Sequence, residues 1–403
     1  MQHLSAPESR MIATIDPAPM LERVLDWCAV NTGTANLSGL ATMADRLEPA
    51  LADLPGTVRR ADGTRVTTVG ADGIEREQSF GQHLVLSVRP QANRRILLTG
   101  HMDTVFAADH AFQSVRWLDG DTLNGPGVAD MKGGIAVMLA ALTAFETRPG
   151  ATQLGYDVLI NADEEVGSPS SAALIAELAA GKIAALTFEP AALPDGTLAG
   201  ERAGSGNYSV IIHGKSAHAG RNPQDGRNAI VAAADLVLAL KALESPAMSI
   251  NPARIEGGSA TNVVPDLAIV RFNTRPQDIE TAAAFDGALA DLLARIAQTH
   301  DVAIHSHGGL GRPPKPMDDA ARRLFELVRA CGADLGQDIR WQRSGGVCDG
   351  NNIAACGVPV VDTLGVRGGA IHSPDEFLIV SSLAERAALS ALVLSRLADG
   401  ALA

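Results

Sequence analysis

Acidic residues stand where apolar strands should end. The clearest case is Asn161-Ala-Asp-Glu-Glu-Val-Gly-Ser168, which follows the apolar run Tyr156-Asp-Val-Leu-Ile160. That run reads as a buried β-strand, and Gly167 and Pro169 keep the chain from continuing as one. An unpaired carboxylate is costly to bury. Asp163, Glu164 and Glu165 therefore form a solvated loop or face something cationic. The pattern recurs: Arg95-Ile-Leu-Leu-Thr-Gly100 ends at His101-Met-Asp103, and Ala184-Ala-Leu-Thr-Phe188 ends at Glu189. Asp130 lies in the glycine-rich loop 124–134, and His372 in Gly368-Gly-Ala-Ile-His-Ser-Pro374. Each alone has an ordinary explanation, such as a strand cap, an Asx-turn or an exposed side chain. Together they offer imidazole nitrogens and carboxylate oxygens without thiolate. That donor set suits a catalytic Zn²⁺ site, with Mn²⁺ or Co²⁺ as further candidates. Two histidines and several carboxylates suffice for two metals sharing a bridging carboxylate.

The elements that must position these residues alternate between strand and helix. Amphipathic helices are expected over 17–32 and 38–48, the second stopping before Pro49. Strands are expected at 84–88, 95–100, 156–160 and 184–188, with helices at about 135–145 and 169–180. This is the signature of βαβ units and a mostly parallel sheet with flanking helices. Such sheets place ligand sites at the carboxyl ends of their strands. Near residue 202 the texture changes. Strands 208–213, 267–274 and 302–305 and helices at about 227–244 and 277–299 suggest a small α+β unit with an antiparallel sheet. Pro-rich Arg312-Pro-Pro-Lys-Pro316 reads as the linker out of it, before helix 318–331, strand 358–361 and helix 381–398. The expected organisation is a discontinuous α/β unit, 1–202 and 316–403, with an inserted unit, 203–315.

Six segments resemble, in order, the di-zinc peptidases of family M20, which includes glutamate carboxypeptidase, acetylornithine deacetylase, succinyl-diaminopimelate desuccinylase and aminoacylases. They are Gly100-His-Met-Asp-Thr-Val105, Gly127-Val-Ala-Asp-Met-Lys-Gly-Gly134, Asp163-Glu-Glu-Val-Gly167, Glu189-Pro190, Gly214-Lys-Ser-Ala-His-Ala219 and His372-Ser373. The resemblance implies two Zn²⁺ per subunit. His101 and Glu189 would hold the first, Glu165 and His372 the second, and Asp130 would bridge them. It makes Glu164 the general base toward a metal-activated water, and Asp103 the carboxylate that orients His101. His218 would reach the active site of a partner subunit, implying a homodimer through a ferredoxin-like inserted domain. Asn262, Arg275 and Gly369 would hold the substrate, with Arg275 either pairing a substrate carboxylate or serving a structural ion pair. Glu164 and Glu165 need opposite tasks at one site, so the chain must leave strand geometry there, since strand neighbours point to opposite faces.

One departure concerns Ser344-Gly-Gly-Val-Cys-Asp-Gly350, where Cys348 stands at a position often held by a small hydroxyl residue in relatives. It is expected to be buried and inert. The remaining histidines, His3, His83, His110, His213, His300, His305 and His307, are expected to be structural or solvated.

Composition narrows the partners. The 403 residues carry 33 basic and 46 acidic side chains, a net charge of −13, which argues against nucleic acid. No secretory signal or membrane span is expected, and four scattered cysteines without a CxxC pair suggest a reducing cytoplasm. The resemblance implies a small-molecule substrate: a short peptide or N-acyl amino acid cleaved at an amide next to a carboxylate, in the manner of a glutamate carboxypeptidase or N-acyl-amino-acid deacylase. A biosynthetic deacetylase or desuccinylase is the enzymatic alternative. A non-catalytic metal-binding homologue is the third reading, and Glu164 argues against it, since metal binding alone has no use for a base.

Overall fold

The computed structural model describes residues 4–402; His3 lies outside them. Six strands form the central sheet, in the order Thr57–Ala61, His83–Val88, Gly155–Asn161, Arg95–His101, Ala184–Thr187, Val360–Val361. From Gly155–Asn161 to Val360–Val361 all neighbours run parallel, and the first two strands add antiparallel pairs at one edge. The parallel strands are buried along nearly their whole length because helices cover both faces. Ile96 and Leu98 turn to a layer containing helices Gly134–Glu146 and Ser382–Ala398. Leu97 turns to the opposite layer, with Ile175 of helix Ala172–Ala179 and Ile353 of helix Asp349–Ala355. The helix Leu37–Ala52 does not stop before Pro49 as expected but runs through it. Proline removes one donor, yet Pro49 still accepts from the amide of Asp53, which closes the last turn. Among the described residues, Val128–Glu146 is long and apolar enough to cross a membrane, but 89% of its apolar window is buried inside the protein.

Residues 205–312 form a second, four-stranded antiparallel sheet, ordered Met248–Gly257, Leu267–Pro276, Ser205–His213, Ala303–Arg312. Helices Ala229–Ala242 and Ile279–His300 cover one face. The order of elements along the chain is βαββαβ, the ferredoxin-like arrangement. Two features differ from expectation. Strand Met248–Gly257 has no counterpart in the sequence reading, because as an edge strand it is mostly exposed and interrupted by Pro252. The last strand runs on to Arg312, which is buried at its end and is not part of a linker. Gly308, Gly309 and Gly311 hide the alternation, and pairing with Ser205–His213 supplies the hydrogen bonds. The chain enters and leaves this unit side by side: the amides of Arg202 and Lys315 each donate to the other's carbonyl, at 2.9 and 3.0 Å.

A small sheet ordered Gly368–Gly369, Phe377–Ile379, Thr122–Asn124, Arg116–Trp117 lays the His372 loop against the Asp130 loop.

The central strand carries one buried charge. Asp157 receives Arg95 at 2.6 Å and Lys182 at 2.8 Å, and Ser87 donates to its other oxygen. Asp157→Ala would strand two cations, one of them buried. Urea unfolding should show a loss of about 3 kcal/mol, with far-UV circular dichroism unchanged before the transition.

Candidate metal centre

The strand register aligns the chemistry. His101 pairs with Asn161, and Thr99 with Thr187, so three parallel strands end together. His101 closes the middle strand, while Glu164, Glu165 and Glu189 follow within a few residues of its neighbours' ends. After Asn161 the chain turns into a single tight turn, Glu164–Val166, closed by Gly167 in the left-handed region at φ 96°. That departure from strand geometry lets both glutamates face one cavity. Asp163 faces away and ties the turn from behind, accepting from the amide and hydroxyl of both Ser170 and Ser171. His83 assists from the same side, accepting from the Ala162 amide at 3.3 Å.

Asp130 stands between the two imidazoles. Its Oδ1 lies 3.1 Å from His101 Nε2, and its Oδ2 lies 3.3 Å from His372 Nε2. Glu189 adds to the His101 side at 3.6 Å, and Glu165 to the His372 side at 3.1 Å. Asp103 has more than one contact. Its backbone carbonyl is 3.0 Å from His101 Nδ1 and its carboxylate 3.4 Å. The same carboxylate accepts from the amides of Glu164 and Glu165 and from the Thr34 hydroxyl. It therefore fixes the acidic turn together with His101.

Electrostatics follow from this crowding. Burial disfavours charge on His101, yet Glu189, Asp103 and Asp130 hold its pKa well above the usual value. Asp130 and Glu165 raise His372 to about 11. Burial and the neighbouring Asp130 raise Glu165 to about 8. Burial also raises Glu164 well above the carboxylate range against the pull of Arg312. The buried Glu189 Oε1 has no hydrogen-bond partner among the described residues. Buried carboxylates gathered around two imidazoles, with one oxygen orphaned, fit divalent cations. His101, Asp130 and Glu165 offer donor atoms mutually within 4.8 Å, and so do His101, Glu164 and Glu189.

The sequence reading missed two contributors. Arg312 gives Nη2 to Glu164 Oε1 at 2.6 Å and Nη1 to Asp349 at 3.0 Å. Its place in a Pro-rich stretch concealed it. Glu376 is buried four residues beyond His372 and accepts from the amides of Gly127, Ala129 and Asp130 at 3.0–3.1 Å. An acidic residue inside a motif-bearing loop was its only signal. The glycines nearby serve close approach: a Cβ on Gly134 would sit 1.9 Å from the carbonyl oxygen of Phe188, beside Glu189.

Glu164, Glu165, Glu189, Asp130, His372, Arg275 and Gly369 line one cavity of about 1310 Å³ between the two sheets, with Cys348 in its wall. Cys348 is buried, as expected, and burial raises its thiol well above the usual pKa. His218 and Asn262 do not line the cavity. Both are exposed on the inserted unit, where His218 pairs with Val263 and the Ala219 amide donates to the Asn262 carbonyl.

Fold and site together define a metal-dependent hydrolase of the peptidase and amidohydrolase class. Residues 97–396 match the model of peptidase family M20/M25/M40. The chain is 30% identical to carboxypeptidase G2 of Pseudomonas sp. (strain RS-16) over 399 residues, covering 96% of this chain and 92% of that protein. It is 29% identical to a succinyl-diaminopimelate desuccinylase of Rhodospirillum centenum over 323 residues, covering 75% and 81%. Among solved structures, a tripeptidase from Staphylococcus aureus superposes with a TM-score of 0.73 at 23% identity, covering 96% and 99%. A dinuclear metal-binding M20 peptidase from Bacillus subtilis does so at 0.65 and 15%, covering 95% and 98%. The chain belongs to peptidase family M20/M25/M40.

Two outcomes follow. His372, held at about 11, stays charged at neutral pH in the metal-free protein. The stability it lends is full below its unfolded pKa of about 6.5, falls progressively as pH rises above that, and is gone above about 11. A metal needs it neutral. Calorimetry in buffers of different ionisation enthalpy should therefore show proton release on metal binding, and an apparent affinity that rises with pH. Glu376→Gln would turn an amide NH₂ toward donors the carboxylate now accepts. Equilibrium dialysis should show metal affinity falling by roughly tenfold to a hundredfold.

Proposed function

We propose that the protein is a di-zinc hydrolase cleaving an amide next to a carboxylate, a glutamate carboxypeptidase-like or N-acyl-amino-acid deacylase activity, in a cytoplasmic homodimer. The carrying observation is Asp130 set between two imidazoles, with Glu164 facing the same cavity. We assign His101, Asp130 and Glu189 to one ion, and Asp130, Glu165 and His372 to the other. When bound, such ions acidify water and polarise a carbonyl. Co²⁺ or Mn²⁺ would fit the same donors.

Glu164 is the residue that moves the proton. Arg312 engages its Oε1, which leaves the other carboxylate oxygen for water. Its raised pKa suits a group that takes a proton from water and returns it to the leaving amine. Asp103 and Arg312 hold the turn that aims it. Specificity for a carboxylate rests on Arg275. Of the arginines lining the cavity, Arg202, Arg312 and Arg343 have carboxylate partners. Arg275 has none among the described residues, where its guanidinium donates only to Asn273, at 2.9 Å. Gly369 offers backbone at the same wall. A small peptide or N-acyl amino acid is the fitting substrate. A succinyl-diaminopimelate desuccinylase activity is the second reading, favoured by the relative of that name.

We divide the chain into a catalytic unit, 1–202 and 316–403, and an inserted dimerisation unit, 203–315. His218 and Asn262 lie outside their own cavity and would complete that of a second copy.

Glu164→Gln should keep its metal, measured by elemental analysis, and lose hydrolysis by about 10² to 10⁴-fold; unchanged turnover would sink the reading. Arg275→Met should raise KM for an N-acyl glutamate by roughly tenfold or more. A screen of N-acyl amino acids, dipeptides and succinyl-diaminopimelate separates the two readings. His218→Ala should retain metal and lose turnover, and mixing it with Glu164→Ala under subunit exchange should restore part of the activity.

A further inference from the structure

A second cavity, of about 280 Å³, lies behind the wall of the first. It is built around Arg386 on the helix Ser382–Ala398. This guanidinium is 1% exposed. Its Nη2 donates to the Gly196 carbonyl at 2.8 Å. Its Nη1 and Nε have no hydrogen-bond partner among the described residues. The nearest carboxylate, Glu385, is 3.6 Å from Nε and is already engaged by Arg367 at 3.1 Å. Two arginines therefore share one glutamate. Arg340, also at the cavity, is paired with Asp338, and Asp195 is exposed at the rim. A buried guanidinium with free donors is costly unless something accepts from it. Burial lowers its pKa to about 10, which still leaves it charged at neutral pH.

The site is shaped around that side chain. Gly196 has φ +95°, and a Cβ there would sit 2.3 Å from Arg386 Nη2. Only glycine lets the segment lie this close. Gln337 donates to the Glu385 carbonyl at 3.1 Å, and its own buried Oε1 has no partner among the described residues. A protonated oxyanion, or one with a water beside it, would satisfy both the donors of Arg386 and this acceptor. Arginine is the side chain best matched to such groups.

We propose that this cavity is a binding site for a small oxyanion, a phosphate or carboxylate group, held by Arg386 and distinct from the metal centre. The two sites share a wall. Pro194 lines the first cavity and Asp195, Gly196 and Thr197 the second, while Arg367 of the second adjoins Gly368 and Gly369 of the first. An anion here would therefore act on the substrate cavity from behind.

The test uses the metal-loaded full chain. Crystals soaked in selenate should show an anomalous selenium peak within hydrogen-bond reach of Arg386 Nη1. Phosphate and acetate, titrated separately at constant ionic strength, should raise the thermal midpoint, and their relative effect identifies which oxyanion fits. Arg386→Met should lose the peak and weaken the response by at least roughly tenfold. Glu385→Gln, at a partly exposed position, should strengthen it by removing the competing carboxylate, and it keeps the test decisive if Arg386→Met fails to fold. A lone water in the cavity would overturn the proposal. So would a selenium peak without any solution response, or a response equal in wild type and both variants.

Discussion

Asp130 is the constraint on which the rest of the site depends. One buried carboxylate faces two imidazoles with its two oxygens, and its loop is held from several sides. The loop that carries it is fixed by Glu376 through three backbone amides. Lys132, two residues on, is buried and donates to the Val30 carbonyl at 3.0 Å. Gly134 lets the following helix press against the strand that delivers Glu189. The carboxylates of Asp130, Glu164, Glu165 and Glu189 would repel one another without cations between them. Metal sites and hydrolytic sites of this kind place the cost of charge burial where chemistry can use it.

Much of this was legible in the sequence for a physical reason. Apolar strands ending in His101, Glu164–Glu165 and Glu189 break the ordinary pairing of burial with apolarity, and the break marks the site. The α/β arrangement and the antiparallel α+β texture of the inserted stretch followed from the order of strands and helices. What escaped notice had no periodicity to show. Met248–Gly257 is a polar edge strand. Arg312 ends a glycine-rich strand, and a run of prolines just beyond disguised it. Pro49 sits in a last turn whose closing bond needs its carbonyl and not its missing amide. Glu376 acts on backbone, and backbone contacts leave no pattern in side-chain spacing. Asp103 was expected to orient His101, and its carboxylate also gathers two amides and a hydroxyl.

The two sheets meet at the site from different directions. The central sheet brings ligands at strand ends. The antiparallel sheet brings Arg275 and Arg312 from its third and fourth strands in chain order. The cavity between them thus sets candidate metal donors from one sheet beside arginines from the other. Positions His218 and Asn262 share the inserted unit but face outward, which makes that unit two-sided.

The paired entry and exit at Arg202 and Lys315 has a consequence for how this chain could be shortened. Two backbone hydrogen bonds already hold the ends together, so a few residues would close the gap, and loop-closure entropy grows only slowly with length. By connectivity alone the inserted unit is dispensable. By electrostatics it is not, because excision removes Arg312 and leaves Glu164 and Asp349 buried beside each other without their shared cation. The α/β part of this fold has the topology of an independent module and the charge balance of a dependent one.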